Sequence, residues 1–146
     1  MKTHNAPAAV KSVTIDIAPG DLLDRITVLE IKSERLTTEA AVRNVRIELD
    51  SLRASRERAI AATPELEQLT ADLRRVNETL WDLEEDVRIC EAAKDFGDRF
   101  IQSARSIMHS NDRRAAIKQA INRMLGSSFL DEKSFPLPDP SSRARS

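Results

Sequence analysis

The stretch PELEQLTADLRRVNETLWDLEEDVRICEAAK, Pro64 to Lys94, decides the fold of this chain. Within it, apolar residues recur without a break at alternating spacings of three and four residues. They are Leu66, Leu69, Leu73, Val76, Leu80, Leu83, Val87 and Cys90. This spacing is typical of a coiled-coil seam, in which a helix buries one apolar line against a partner helix. The stretch therefore predicts one long amphipathic helix that packs against another.

A second line of residues lies one helical face away from this seam. It comprises Asn77, Trp81, Glu84, Arg88 and Glu91. A hairpin of two helices would leave the indole of Trp81 in water, so this polar line requires a cover. Another helix of the chain, a second subunit or a ligand could supply it, in this order of preference.

The composition favours long helices over sheets. Of the 146 residues, 40% are apolar, 3% aromatic and 32% charged, which suits one helical domain better than a β-sandwich. A formal net charge of −1 disfavours nucleic acid as a partner. The single cysteine lies on the apolar seam, which predicts a buried thiol in a reducing compartment. Because no apolar run is long enough to span a membrane, we expect a cytoplasmic protein without a membrane partner.

Glycine, proline and capping residues divide the chain into four predicted helices. Asp21, Thr38 and Thr63 are the predicted N-caps of the first three helices, and a kink or a new N-cap is expected near Asn111 in the fourth. The short link between the second and third helices predicts that these two are antiparallel. The predicted helices are 22–36, 39–62, 64–94 and 98–125.

These segments predict an all-α fold, an elongated antiparallel hairpin similar to a coiled coil with two further helices packed on it. Residues 13–17 alternate apolar and polar side chains, so they form a short extended arm that packs along the helices or pairs with a copy of itself. We expect one helical domain over residues 13–135. Disordered tails are expected at 1–12 and 136–146, where small, polar and proline residues dominate.

The candidate binding residues lie on the polar line and on the helices that could cover it. Arg114, Lys118 and Asn122 lie one turn apart on one face of the fourth helix and could grip a phosphate or carboxylate. The alternative is a solvated basic face, because that helix carries six basic and two acidic residues and the third carries four basic and nine acidic. The candidate binding residues are Glu30, Arg35, Trp81, Glu84, Arg88, Asn111, Asp112, Arg113, Lys118 and Asn122.

The chain holds no complete catalytic or cofactor motif, and no catalytic residue is assigned. His109 has no serine or cysteine partner that the sequence places beside it. Neither His4 nor His109 follows a glutamate at the spacing of a di-metal helical bundle, and no glycine-rich phosphate loop is present. We therefore predict neither a metal nor a cofactor.

Four stretches in this order resemble an uncharacterised bacterial family of small helical proteins. They are GDLLDRITVLEIKSERL (Gly20 to Leu36), VNETLWDLEEDVRICE (Val76 to Glu91), DFGDRFIQSARSIMHSNDRRAAIKQAIN (Asp95 to Asn122) and GSSFLDEKSF (Gly126 to Phe135). Members of that family occur alone or attached to tetratricopeptide-repeat glycosyltransferases. The resemblance implies an association with surface-glycan synthesis and with a protein partner in that process. It implies no established activity.

We expect a non-enzymatic interaction or assembly module that forms a homo-oligomer, because the long seam is flanked by a face that needs a cover. The alternative is a small enzyme or sensor. It would bind an anionic metabolite such as a sugar nucleotide between the first, third and fourth helices.

Overall fold

The computed structural model describes residues 8–130 and 132, and its regular structure consists of four helices. No strand occurs in the described residues, so the prediction of an all-α fold is confirmed. The predicted C-terminal tail, 136–146, lies outside the described residues, as do residues 1–7 of the predicted N-terminal tail. None of the four described helices is long and apolar enough to cross a membrane. The helices are α1 (Pro19–Arg35), α2 (Glu39–Ala59), α3 (Pro64–Ala92) and α4 (Asp98–Met124).

The helix boundaries follow the predicted caps at α3 and differ at α1 and α4. The hydroxyl of Thr63 accepts a hydrogen bond at 3.2 Å from the N–H three residues on, and Pro64 begins the helix. α1 begins at Pro19 instead of after Asp21, because proline suits the first helical turn. α4 runs unbroken through Asn111, so the first of the two alternatives predicted there, a new N-cap, is wrong, and the second, a kink, stays a prediction.

The apolar seam of α3 is buried as predicted. Five of its members are buried and the other three are half-buried. The free thiol of Cys90, also on this seam, is among the buried groups. The buried members are Leu66, Leu73, Val76, Leu80 and Cys90.

The antiparallel hairpin consists of α3 and α4, and the predicted pairing of α2 with α3 is wrong. Near the connection Arg99 of α4 pairs with Asp86 of α3, while Leu66 and Ile121 share a core cluster at the far end. α2 packs along α1, and it is joined to α3 by an ion pair of Arg56 with Glu67 without packing along that helix. A short link brings two helix ends together, but it does not fix the direction in which the second helix departs. The basic α4 attracts the acidic α3, which favours the pairing observed.

α1 is the central helix, because it packs against the other three. One face places Leu22, Ile26 and Leu29 against Leu49 of α2. The other face contributes Leu23 to a cluster with residues of the α3–α4 hairpin. Eight of the 17 residues of α1 are buried, compared with one of the 21 residues of α2. The fold therefore depends on α1, and α2 lies at its edge.

Lys94, just after α3, adopts a left-handed backbone conformation with φ of 54°. A side chain in this region costs about 1–2 kcal/mol, whereas the exposed ion pair of Lys94 with Glu91 contributes little. Lys94→Gly should therefore stabilise the fold by about 1 kcal/mol, observed as a higher urea midpoint at an unchanged m-value. Gly126→Ala, at φ of 64°, should lower the midpoint. Unchanged midpoints in both variants would contradict this explanation.

Candidate functional site

A buried carboxylate joins three of the four helices. Asp24 of α1 is 6% exposed, and its Oδ1 accepts hydrogen bonds from Arg114 Nε of α4 and Asn77 Nδ2 of α3, both at 2.9 Å. Arg114 Nη2 donates to the other oxygen, Oδ2, at 2.5 Å. A two-pronged pair of this kind fixes the orientation of both side chains. Asp24 therefore holds α1, α3 and α4 in register.

Thr27, one turn further along α1, completes this polar group. Its hydroxyl donates to the backbone carbonyl of Asp24 at 2.8 Å and accepts from Asn77 Nδ2 at 2.9 Å. Both N–H bonds of the Asn77 amide are thus used. Asp24, Thr27, Asn77 and Arg114 form what we call the Asp24 cluster. At Asn77, α1 is the cover that the predicted polar line requires.

Lys118 brings a second cation to the Asp24 cluster. Its Nζ lies 2.7 Å from Asp21 Oδ1 and 4.0 Å from Asp24 Oδ2. The pKa of Arg114 lies above its usual value because Asp24 accepts its hydrogen bonds, and partial burial opposes this rise. Arg114 and Lys118 belong to the face of α4 that is predicted to bind an anion. In the structure they therefore hold carboxylates that belong to the chain itself.

Gly20, near the start of α1, allows this helix to approach α4 closely. Its N–H donates to Asn122 Oδ1 at 2.7 Å. A Cβ at this position would lie 2.6 Å from the Lys118 carbonyl oxygen and 2.8 Å from Asn122 Oδ1, so only glycine fits without a shift. Asn122 is buried, and its Nδ2 has no hydrogen-bond partner among the described residues. This predicted site residue thus joins α4 to the backbone of α1.

A cleft of about 240 Å³ opens beside the Asp24 cluster, between α1, α3 and α4. Trp81 is half-buried in its wall, and the guanidinium carbon of Arg35 lies 5.9 Å from the centroid of the Trp81 ring. We call this space the Trp81 cleft. Its polar and aromatic lining consists of Lys32, Asn77, Trp81, Glu84, Asn111 and Arg114.

A second cleft of about 320 Å³ adjoins the first and shares Trp81 and Glu84 with it. Arg88 lines it as well, and both Glu84 and Arg88 are exposed. The last residue of α1, Arg35, pairs with Asp82 of α3, so α1 ends near this point. The C-terminal part of the predicted polar line therefore remains open to solvent.

The structure brings most of the predicted site residues to these two clefts or to the adjoining Asp24 cluster. Glu30 is an exception, because Arg53 Nη2 and Arg74 Nη1 hold its two carboxylate oxygens at 2.8 and 3.1 Å, away from the clefts. Asp112 and Arg113 are exposed and line neither cleft. Within residues 8–130 and 132, no group of three or more His, Cys, Asp and Glu side chains is placed to hold a metal ion.

The list of predicted site residues omits Asp24, Thr27 and Lys32. It also omits Asn77 and Arg114, although Asn77 lies on the predicted polar line and Arg114 on the predicted anion-binding face of α4. The sequence identifies Asp24 only as an acidic residue of the first helical turn, where a negative charge suits the positive end of the helix. A stronger signal was available in residues 22–31, where apolar side chains occupy two faces of α1. A charged residue within such a helix is enclosed on both sides and requires a partner.

Comparisons with known proteins identify the family to which the chain belongs. A comparison with curated proteins and one with solved structures each found no match. A family model described as a family of unknown function, DUF6165, matches residues 13–145. The match spans the arm, the four helices, the Asp24 cluster and the Trp81 cleft. The chain therefore belongs to the family of unknown function DUF6165.

Proposed function

We propose that the protein is a non-enzymatic assembly module that pairs with a second copy of itself through its arm, residues 13–17. The observation that carries this proposal is the exposure of alternate apolar side chains, 75% for Val13, 70% for Ile15 and 42% for Ile17. In an extended chain these three side chains share one face. An apolar face of this kind gains free energy when a second surface covers it.

The backbone of the arm is also available to a partner. Residues 8–17 have no regular secondary structure, and none of their N–H groups forms a backbone hydrogen bond within the described chain. Extended segments with free N–H and C=O groups pair readily as strands.

A two-fold symmetric, antiparallel pairing centred on Ile15 suits the side chains of the arm. It would place Ile15 opposite the second copy's Ile15, and Val13 opposite the second copy's Ile17. The carboxylate of Asp16 would then lie opposite Thr14, so that no like charges meet. The arm is therefore complementary to itself in one register.

Ile15→Cys should form a covalent dimer under mild oxidation, because the proposed register brings the two introduced thiols within disulfide distance. Non-reducing gel electrophoresis detects this dimer. The natural thiol, Cys90, is buried and does not compete. Ile47→Cys is the matched control, since Ile47 is 71% exposed on the outer face of α2 and should give no dimer.

Light scattering coupled to size-exclusion chromatography gives an independent reading. The unmodified chain should be an oligomer at micromolar concentration, and Ile15→Asp should make it monomeric because two carboxylates would then face each other. A strict monomer before any substitution, or equal cross-linking at positions 15 and 47, would show that the arm does not mediate pairing.

We also propose a cytoplasmic setting in bacterial surface-glycan synthesis, with a tetratricopeptide-repeat glycosyltransferase as the protein partner. Support comes from the four stretches that resemble a bacterial family attached to such enzymes, and from the single buried thiol of Cys90. Deletion of the gene without a change in surface polysaccharide would count against this setting.

A further inference from the structure

We propose that the Trp81 cleft binds a monosaccharide that carries one phosphate or carboxylate group. This inference goes beyond assembly through the arm and depends on different residues. It rests on a pre-positioned cation, on hydrogen-bond donors and acceptors, and on an aromatic wall in a cleft whose volume suits one sugar ring.

Arg114 supplies the pre-positioned cation. Asp24 engages its Nε and Nη2 atoms, which leaves the two N–H bonds of Nη1 for another acceptor. Arg114 lines the cleft, and its side chain is 32% exposed. A guanidinium fixed along one edge loses little conformational freedom when its other donors bind an anion.

The other polar groups of the cleft include both donors and acceptors. Lys32 forms no ion pair within the described chain and adds a second cation to the lining. The amide donors of Asn77 are used within the Asp24 cluster, so only its carbonyl oxygen remains for a ligand. Glu84 adds a carboxylate, which accepts hydrogen bonds. Acceptors beside the cations call for a ligand with hydroxyl groups as well as a negative charge.

Trp81 and three aliphatic side chains supply the apolar part. Arg35 lies over the indole of Trp81, and this half-buried ring also lines the cleft, where a ligand can contact it. Val28, Ile31 and Leu80 complete the wall. The volume of about 240 Å³ lies below the usual range of sites for drug-sized molecules, so it suits one sugar ring with its acidic group.

Intrinsic fluorescence tests this inference directly. Trp81 is the one tryptophan of the chain, and the chain has no tyrosine, so tryptophan emission reports on the cleft. Titration of the full chain with glucose 1-phosphate or glucuronate should give a saturable change. Glucose and inorganic phosphate should each bind at least about tenfold more weakly, because each lacks one half of the recognised chemistry.

Two variants locate the site. Lys32→Gln should weaken binding of glucose 1-phosphate about tenfold at an unchanged melting temperature, because Lys32 forms no ion pair with the residues that the structure describes. Lys11→Gln, an exposed lysine on the chain before α1, is the matched control and should bind normally. Ile15→Asp should also bind normally, which separates this inference from assembly through the arm.

Three results would overturn the inference. The first is the absence of any saturable response to either glucose 1-phosphate or glucuronate, by fluorescence and by titration calorimetry. The second is binding of inorganic phosphate as tight as that of glucose 1-phosphate, which would mean an adventitious anion site. The third is unchanged affinity in Lys32→Gln, which would place the ligand elsewhere.

Discussion

Asp24→Ala should lower the free energy of unfolding by about 3 kcal/mol. The substitution leaves the guanidinium of Arg114 and the amide of Asn77 without the acceptor that both use, and removal of one partner from a buried ion pair costs about 3–5 kcal/mol. We expect the lower end of that range because the Arg114 side chain is 32% exposed and regains some hydration. Urea unfolding followed by circular dichroism would measure the change.

Glu48→Ala is the matched control for Asp24→Ala. Glu48 also accepts from the Nε and Nη2 atoms of one arginine, Arg25, at 3.0 and 2.8 Å, but its side chain is 45% exposed. Exposed pairs contribute about 0–1 kcal/mol, so this variant should unfold almost as the unmodified chain does. Equal losses in the two variants would show that burial at the junction of α1, α3 and α4 does not explain the contribution of Asp24 to the free energy of unfolding.

Gly20→Ala should destabilise the fold by about 2 kcal/mol, although alanine favours helices more than glycine does. The new Cβ would lie 2.6 Å from the carbonyl oxygen of Lys118, which belongs to the backbone of α4 and cannot rotate away. The two helices would have to separate, which would lengthen the bond from Gly20 N to Asn122. Thermal and urea unfolding would both register the loss.

Two further variants distinguish this clash from a general effect of glycine replacement. At Gly97 the nearest atom to an added Cβ is a side-chain oxygen of Asp95 at 3.2 Å, so Gly97→Ala should change stability by less than about 0.5 kcal/mol. In a background of Asn122→Ala, Gly20→Ala should still destabilise, because the Lys118 carbonyl remains in place. If the loss disappears in that background, the side chain of Asn122 and not the α4 backbone limits the approach.

The sequence predicts which residues of α3 are buried better than it predicts what buries them. The spacing from Leu66 to Cys90 identifies the seam, because periodicity depends only on the geometry of one helix. The partner depends on how residues 60–63 redirect the chain, and no periodicity encodes that direction. The predicted partner, α2, is therefore wrong, while the seam itself is confirmed.

The Asp24 cluster was beyond sequence reasoning for a related reason. Asp24 bonds to Asn77 and Arg114, which are 53 and 90 positions away along the chain. Short-range patterns place Asn77 on a face that needs a cover, which agrees with the structure. They place Arg114 on an anion-binding or solvated basic face of α4, whereas in the structure it pairs with Asp24 of α1. Their joint partner follows only from the way in which α1 lies across the α3–α4 hairpin.

The one-sided attachment of α2 makes the stability of this fold uneven. Because Leu49 is its single buried residue, release of α2 from α1 exposes less apolar surface than global unfolding and costs less free energy. The partially unfolded state of lowest free energy should keep the Asp24 cluster and the α3–α4 hairpin, while Leu22, Ile26 and Leu29 become accessible. The chain therefore holds a latent apolar surface on its central helix, and the local opening equilibrium of α2 sets how often that surface is exposed.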